Sequence, residues 1–222
     1  MTDLIIYIVE PDLTNGRSLV ELLTNHGHRS ELYSSGEKLL EQFKPNRQGI
    51  LILALDLPGI AGIDLLLHLT QLAPYLPVIA VSQRGDVSTA VKAIKSGALT
   101  LVEKPVTADA ILEALAEAFQ YQHRCRRAES KRQKVMRLMH SLTSKEREVL
   151  DRLVEGMPNK QIARRLDIGL RTVELRRSNI LKKFGVKSLA EAVKIAILYE
   201  LYMEDNLVPE GPDIDGLGSP AT

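Results

Sequence analysis

Short apolar runs alternate with helical stripes through the first half of the chain. LIIYIV (4–9), a weaker SELY (30–33), ILILAL (50–55), VIAVS (78–82) and LTLV (99–102) are of strand length and, apart from SELY, apolar almost throughout, as parallel strands covered on both faces require. Between them Leu19, Leu22 and Leu23, then Leu39, Leu40 and Phe43, then Leu65, Leu66 and Leu69, then Val87, Ala90, Val91 and Ile94 recur at helical spacing. Gly27, Gly36, Pro45, Pro58, Gly62, Pro77, Gly85 and Gly97 punctuate the connections. The pattern predicts an α/β, doubly wound (βα)5 domain over residues 1–120. In such a sheet functional groups gather at the carboxyl ends of the strands. Those positions hold Glu10, Pro11 and Asp12, then Ala54 to Asp56, then Ser82 and Lys104.

The second half reads as helices alone. Thr107 is placed to cap a helix that opens with the amphipathic ILEALAEAF. The following YQHRCRRAESKRQK has few helix breakers and no apolar stripe, so residues 121–141 are expected to form a helical linker, either a solvated extended helix or a flexible connector. Ile111, Leu115, Ala118, Met136 and Met139 fall near heptad spacing, but Gln122, Cys125, Glu129 and Arg132 fill the middle of that register, which argues against a continuous coiled coil between two copies. Over 142–203 the caps delimit four helices of an all-α domain. Thr143 with Glu146 boxes the first and Gly156 ends it; Asn159 caps the second; Gly169 and Gly185 bound the third; Ser188 with Glu191 boxes the fourth. The short turn around Asp167 to Leu170 makes the second and third a helix-turn-helix.

Charge sharpens this division. The net +1 of the 222 residues is a cancellation: residues 1–118 carry a net −5, residues 119–203 a net +11 and residues 204–222 a net −5. An acidic domain joined to a strongly basic one is a common footprint of a nucleic-acid-binding module with its regulator, a solvated basic face being the plainer alternative. The acidic, Gly- and Pro-rich tail is expected to be disordered. One cysteine, Cys125, excludes an intrachain disulfide and a cysteine metal cluster, and no apolar run is long enough for a membrane span. A cytoplasmic setting is expected, with no cofactor, no bound metal and no catalytic set.

The landmarks YIVEPD, LPGIAGIDLL, AVSQRGDVSTAVKAIKSGA and EKPV, in that order, resemble the receiver domain of bacterial response regulators, most closely its FixJ-like branch. EREVL, EG followed by NKQIA, TVE and KFGVKSLAEAV resemble the LuxR/FixJ-type DNA-binding domain over about 60 residues. The resemblance implies a two-component transcription regulator and also marks departures from it. The position of the phosphate-accepting aspartate, counted back from Leu57-Pro58, holds Ala54. The acidic pair that holds Mg²⁺ reads Glu10-Pro11, with Asp12 one place out of register. Ser82 and Lys104 match the switch hydroxyl and the lysine, and Leu101 stands where the family has an aromatic. Asp56, two residues beyond Ala54, is a surrogate acceptor to be weighed, and Lys104 either binds phosphate or pairs with Glu10 or Asp12.

On the third helix of the second domain Val173, Ile180, Leu181 and Phe184 share one face and are expected in the core. Arg171, Glu174, Leu175, Ser178 and Lys182 share the opposite face and are expected in the major groove of double-stranded DNA, with Thr172 beside them. Glu174 suits a cytosine amino group, Leu175 a thymine methyl and Arg171 a guanine edge or a phosphate. Asn159, Lys160, Arg176, Lys182 and Lys183 are expected near phosphates, and Arg177 in an ion pair with Glu146 or Glu148. In place of the family's usual cap serine and histidine stand Gly169 and Arg176. Leu189, Val193, Ala196 and Ile197 of the last helix are expected to support a homodimer on two half-sites. The reading is a regulator that binds DNA without aspartyl phosphorylation, with a histidine kinase or another protein as candidate partner. The alternative is a signalling adaptor that docks such a partner through the receiver-like domain.

Overall fold

A computed structural model describes residues 4–44, 49–83 and 87–204. The chain divides into two compact units, Met1–Arg124 and Cys125–Thr222. In the first, β1 (Ile5–Val9), α1 (Leu13–Asn25), β2 (Arg29–Tyr33), α2 (Gly36–Gln42), β3 (Gly49–Ala54), α3 (Gly62–Leu72), β4 (Val78–Ser82), α4 (Val87–Lys95) and β5 (Thr100–Glu103) alternate and lead into α5 (Ala108–His140). All strand pairs are parallel, in the order β2-β1-β3-β4-β5. This is the expected doubly wound sheet.

The unbroken apolarity of the central strands is explained by two cores, one on each face. Tyr7, Val9, Leu51, Leu53, Val78 and Ala80 point to one side and pack with Leu65, Leu66 and Leu69 of α3. Ile6, Ile8, Ile50, Ile52, Ile79, Val81 and Val102 point to the other and pack with Leu19 and Leu23 of α1 and Ile111 and Leu115 of α5. Gly62 lets α3 begin hard against the end of β3: a Cβ there would lie 2.6 Å from both Cα and O of Leu55. The stripe on α4 departs from expectation. Ala93 is the buried residue of that helix, while Val87, Val91 and Ile94 are 79%, 45% and 48% exposed. Helical spacing identifies an apolar face but not what covers it, and small Ala93 lies on the side that meets the sheet.

Residues 121–140 are helical, as part of α5, which continues as one element to His140. The second unit adds α6 (Ser144–Val154), α7 (Asn159–Arg165), α8 (Leu170–Phe184) and α9 (Leu189–Glu204). Its core joins Val149, Leu150, Ile162, Val173, Ile180, Phe184, Ala192 and Ile195 to Val135 and Met139 of α5, with Met136 partly buried against them. The core therefore reaches back ahead of residue 142, and the Met136 and Met139 end of the heptad-like stripe is used inside its own unit. The capping box of Thr143 and Glu146 is complete, and Gly185 closes α8 in the left-handed region, φ 66°. Asn159 is not the cap of α7; Pro158 takes that place without a side-chain bond. At α9 Ser188 accepts from Glu191 N (3.3 Å), but the returning Glu191 carboxylate accepts from Lys187 N (3.1 Å), so the box is offset by one residue. No helix among the described residues is long and apolar enough to cross a membrane. The acidic tail beyond Glu204, and Pro45 and Gly85, lie outside the described residues.

Candidate functional site

Strand alternation places Glu10, Ala54 and Lys104 on the same side as Ile8, Ile52 and Val102. Glu10 is 2% exposed. Lys104 Nζ lies 2.7 Å from its Oε2 and donates to its Oε1 at 3.0 Å, so the lysine beyond β5 is joined to the end of β1, across the ends of β3 and β4. Asp12 N also donates to Glu10 Oε1, at 3.2 Å. Ala54 is buried at the end of β3 and Ser82 at the end of β4, and Leu101 packs against the core on the other face of the sheet. Of the two acidic partners expected for Lys104, Glu10 is the one it touches.

The other two carboxylates are engaged separately. Asp12 caps α1, accepting from Thr14 N at 2.8 Å and Asn15 N at 3.2 Å. The Asn15 amide, then that of Thr14, hold its carboxyl below the usual aspartate value. Asp12 thus sits where a helix needs an N-cap. Exposed Asp56 accepts from Gln83 N at 3.1 Å, tying the loop after β3 to the end of β4. Glu37, which the sequence does not single out, accepts from Ile60 N at 3.1 Å and so moors the same loop to α2. Among the described residues no three His, Cys, Asp or Glu side chains gather so as to hold a metal ion.

The second cluster is built on α8. Val173, Ile180 and Phe184 are buried and Leu181 is partly so, which leaves Arg171, Glu174, Leu175, Ser178 and Lys182 exposed, with Thr172 partly so. Leu175 is 61% exposed in this polar setting. Lys160 is exposed at the start of α7. Arg177 differs from expectation: Nη1 donates to Asn159 Oδ1 at 2.6 Å, not to Glu146 or Glu148. Glu146 is taken by Lys183, whose Nζ lies 2.6 Å from Oε2 and also donates to Ser141 O at 2.9 Å. Arg176 donates to Lys145 O at 3.3 Å. On α9 Ala196 is buried in its own domain and Leu189 packs against the same core. One turn of helix carries both inward and outward residues, so of the four dimer candidates only Ile197 is well exposed, with Leu189 and Val193 partly so; Leu201 extends the face of Ile197.

Comparison with known proteins joins these clusters. The profile of the response regulator receiver domain matches residues 6–116, and that of the bacterial regulatory proteins of the LuxR family matches residues 140–196. The transcriptional regulatory protein FixJ of Rhizobium meliloti (strain 1021) is 34% identical over 89% of this chain and 97% of its own. This chain belongs to the FixJ-type response regulators. Another relative in the family is the response regulator protein TmoT of Ectopseudomonas mendocina, 32% identical over 86% of this chain and 87% of its own. Among solved structures, response regulator StyR aligns with a TM-score of 0.79 at 32% identity over 88% of this chain and 98% of that one. Full-length FixJ from B. japonicum aligns with a TM-score of 0.54 at 30% identity over 90% and 99%. As a FixJ-type response regulator, the protein is a DNA-binding transcription regulator of the two-component class.

Proposed function

We propose that this response regulator controls transcription as a DNA-bound cytoplasmic homodimer whose receiver-like domain works without aspartyl phosphorylation, as a dimerisation or partner-docking module. The observation that carries the reading is Ala54, a buried methyl at the end of β3, flanked by a Glu10–Lys104 ion pair. A methyl group cannot attack phosphorus. The oxygen donors nearby do not suit Mg²⁺, which prefers octahedral oxygen ligands including one or two carboxylates: Pro11 offers no side-chain oxygen, Glu10 faces Lys104, and Asp12 is turned to the amides of α1. Asp56 is directed at Gln83 N, and nucleophile geometry tolerates an error of only about 1 Å.

In this reading residues 1–120 form the receiver-like domain, 121–141 the helical linker and 142–203 the DNA-binding domain. Arg171, Glu174, Leu175 and Ser178 meet the bases, Leu175 against a thymine methyl. Asn159, Lys160, Thr172, Arg176 and Lys182 lie by the phosphates. The outward apolar faces Val87, Val91 and Ile94 of α4 and Val193, Ile197 and Leu201 of α9 support pairing of two copies. The test is selection of duplexes from a random pool by the purified full-length protein without phosphodonor, repeated with Ala54→Asp. Specific, steeply salt-dependent binding by the wild type is expected. Binding by the variant alone, or stoichiometric phosphate uptake from a small-molecule phosphodonor that Asp56→Ala abolishes, overturns the reading. Binding by neither protein favours the adaptor.

A further inference from the structure

Lys183 lies on α8 but is held away from that helix's outward face. Taking Val173 as the centre of the buried face, the 100° turn per residue puts Arg171, Leu175 and Lys182 opposite it and Lys183 to one side. On that side Lys183 Nζ meets Glu146 Oε2 at 2.6 Å and Ser141 O at 2.9 Å. Glu146 is buried, and its Oε2 also accepts from Thr143 N and Thr143 Oγ1, each at 2.9 Å. Three chain segments converge there: the end of α5, whose first carbonyl beyond the helix is that of Ser141; the first turn of α6, which bears Glu146; and the last turn of α8. Each charge suits its place, the ammonium by the carbonyl end of one helix and the carboxylate by the amide end of the next. Burial alone would raise the Glu146 carboxyl, but hydrogen bonds from Lys183 and Thr143 outweigh it and hold it below the usual value.

We propose that Lys183 is a positioning residue and not a phosphate contact: with Glu146 it fastens the last turn of α8 to the turn between α5 and α6, and so sets the pose in which the outward face of α8 is presented to DNA. This rests on the reading of α8 as the recognition helix. It also separates two adjacent lysines that the sequence alone assigns to the same task.

The salt dependence of binding distinguishes the two roles. A lysine that neutralises a phosphate contributes about 0.9 to the slope of log K against log salt, wherever else it helps. Full-length wild type, Lys182→Met, Lys183→Met, Lys183→Arg and Glu146→Gln are titrated by fluorescence anisotropy with a duplex selected by the wild type. Lys182→Met is expected to lower the slope by about 0.9. Lys183→Met and Glu146→Gln are expected to keep the wild-type slope while weakening binding by about two- to thirtyfold, the range for residues that act without touching the ligand. Lys183→Arg recovers most of that loss. Amine labelling of the wild type reads the same point without a variant: DNA shields Lys182 and leaves the reactivity of Lys183 unchanged. A slope reduced by about 0.9 in Lys183→Met with full affinity in Glu146→Gln overturns the proposal. So does shielding of Lys183 by DNA equal to that of Lys182. If the wild type selects no duplex, the DNA-binding reading itself falls and takes this one with it.

Discussion

Replacing Lys104 by methionine removes a charge and leaves most of the side-chain volume. What remains is a carboxylate, Glu10, that is 2% exposed and keeps the Asp12 amide at 3.2 Å as a hydrogen-bond donor. Removing one member of a buried pair costs about 3 to 5 kcal/mol because the other is stranded in a poorly polarisable place. The Lys104 side chain is 12% exposed, so water reaches the site and the lower end of that range, about 3 kcal/mol, is expected. For a unit of this size 1 kcal/mol moves the midpoint by roughly 3 to 5 °C, which puts the loss near 10 °C. Calorimetry suits the measurement, because the chain has no tryptophan to report unfolding and the two units can melt as separate transitions. A cycle with Glu10→Gln should show coupling of about 1 to 3 kcal/mol. Millimolar Mg²⁺ should not move the wild-type midpoint, since Glu10 is already engaged by Lys104. A Lys104→Met loss under about 0.5 kcal/mol that simply adds to that of Glu10→Gln would refute the picture of the pair as the tie between β1 and β5.

Three further outcomes follow from local geometry. The folded-state carboxyl of Glu146 lies below the usual value, so its contribution is present above about pH 4.3, the ordinary glutamate value, and is lost as pH falls through the depressed one. The midpoint gap between wild type and Glu146→Gln should therefore be flat near neutrality and narrow in acid; a gap independent of pH contradicts this. Thr143→Ala removes an N-cap that accepts from Glu146 N at 3.3 Å and should cost about 1 kcal/mol in the second unit, with no effect on the first, in the same calorimetric trace. Gly62→Ala forces a methyl to within 2.6 Å of Leu55 backbone atoms. A loss of about 2 kcal/mol or more in the first unit is expected from overpacking, and a neutral result would mean the turn gives way easily.

The fold was legible because burial on two faces leaves strands with no polar alternation, and because Gly, Pro and capping residues mark each connection. Lys104 could be matched to Glu10 or Asp12 from topology, since in this sheet the carboxyl ends of β1 and β5 share one edge. Local geometry decides between them: Asp12 is taken up by the Thr14 and Asn15 amides, whereas the Glu10 carboxylate accepts from the Asp12 amide and from Lys104. Partner choice in the second unit differs from the sequence expectation for a related reason. Arg177 and Lys183 lie on opposite flanks of the buried stripe of α8, and spacing along a helix gives angles but not the identity of the neighbour. Thus Glu146 went to Lys183, and Arg177 went to Asn159. The exposure of Val87, Val91 and Ile94 was hidden for the same reason, because an amphipathic stripe reads alike whether it meets a sheet or water.

Val135 and Met139 bear on how such a domain can be moved between proteins. Both are buried in the core of the second unit, yet both precede the start of the LuxR-family match at residue 140. Each large-to-small loss in a core costs about 1 to 5 kcal/mol against a total of about 5 to 15 kcal/mol. A graft or natural recombination joined at residue 140 would hand its host a module missing part of its own floor. The transferable piece therefore starts no later than Val135, within α5, and a new fusion partner must supply a helix in phase with it.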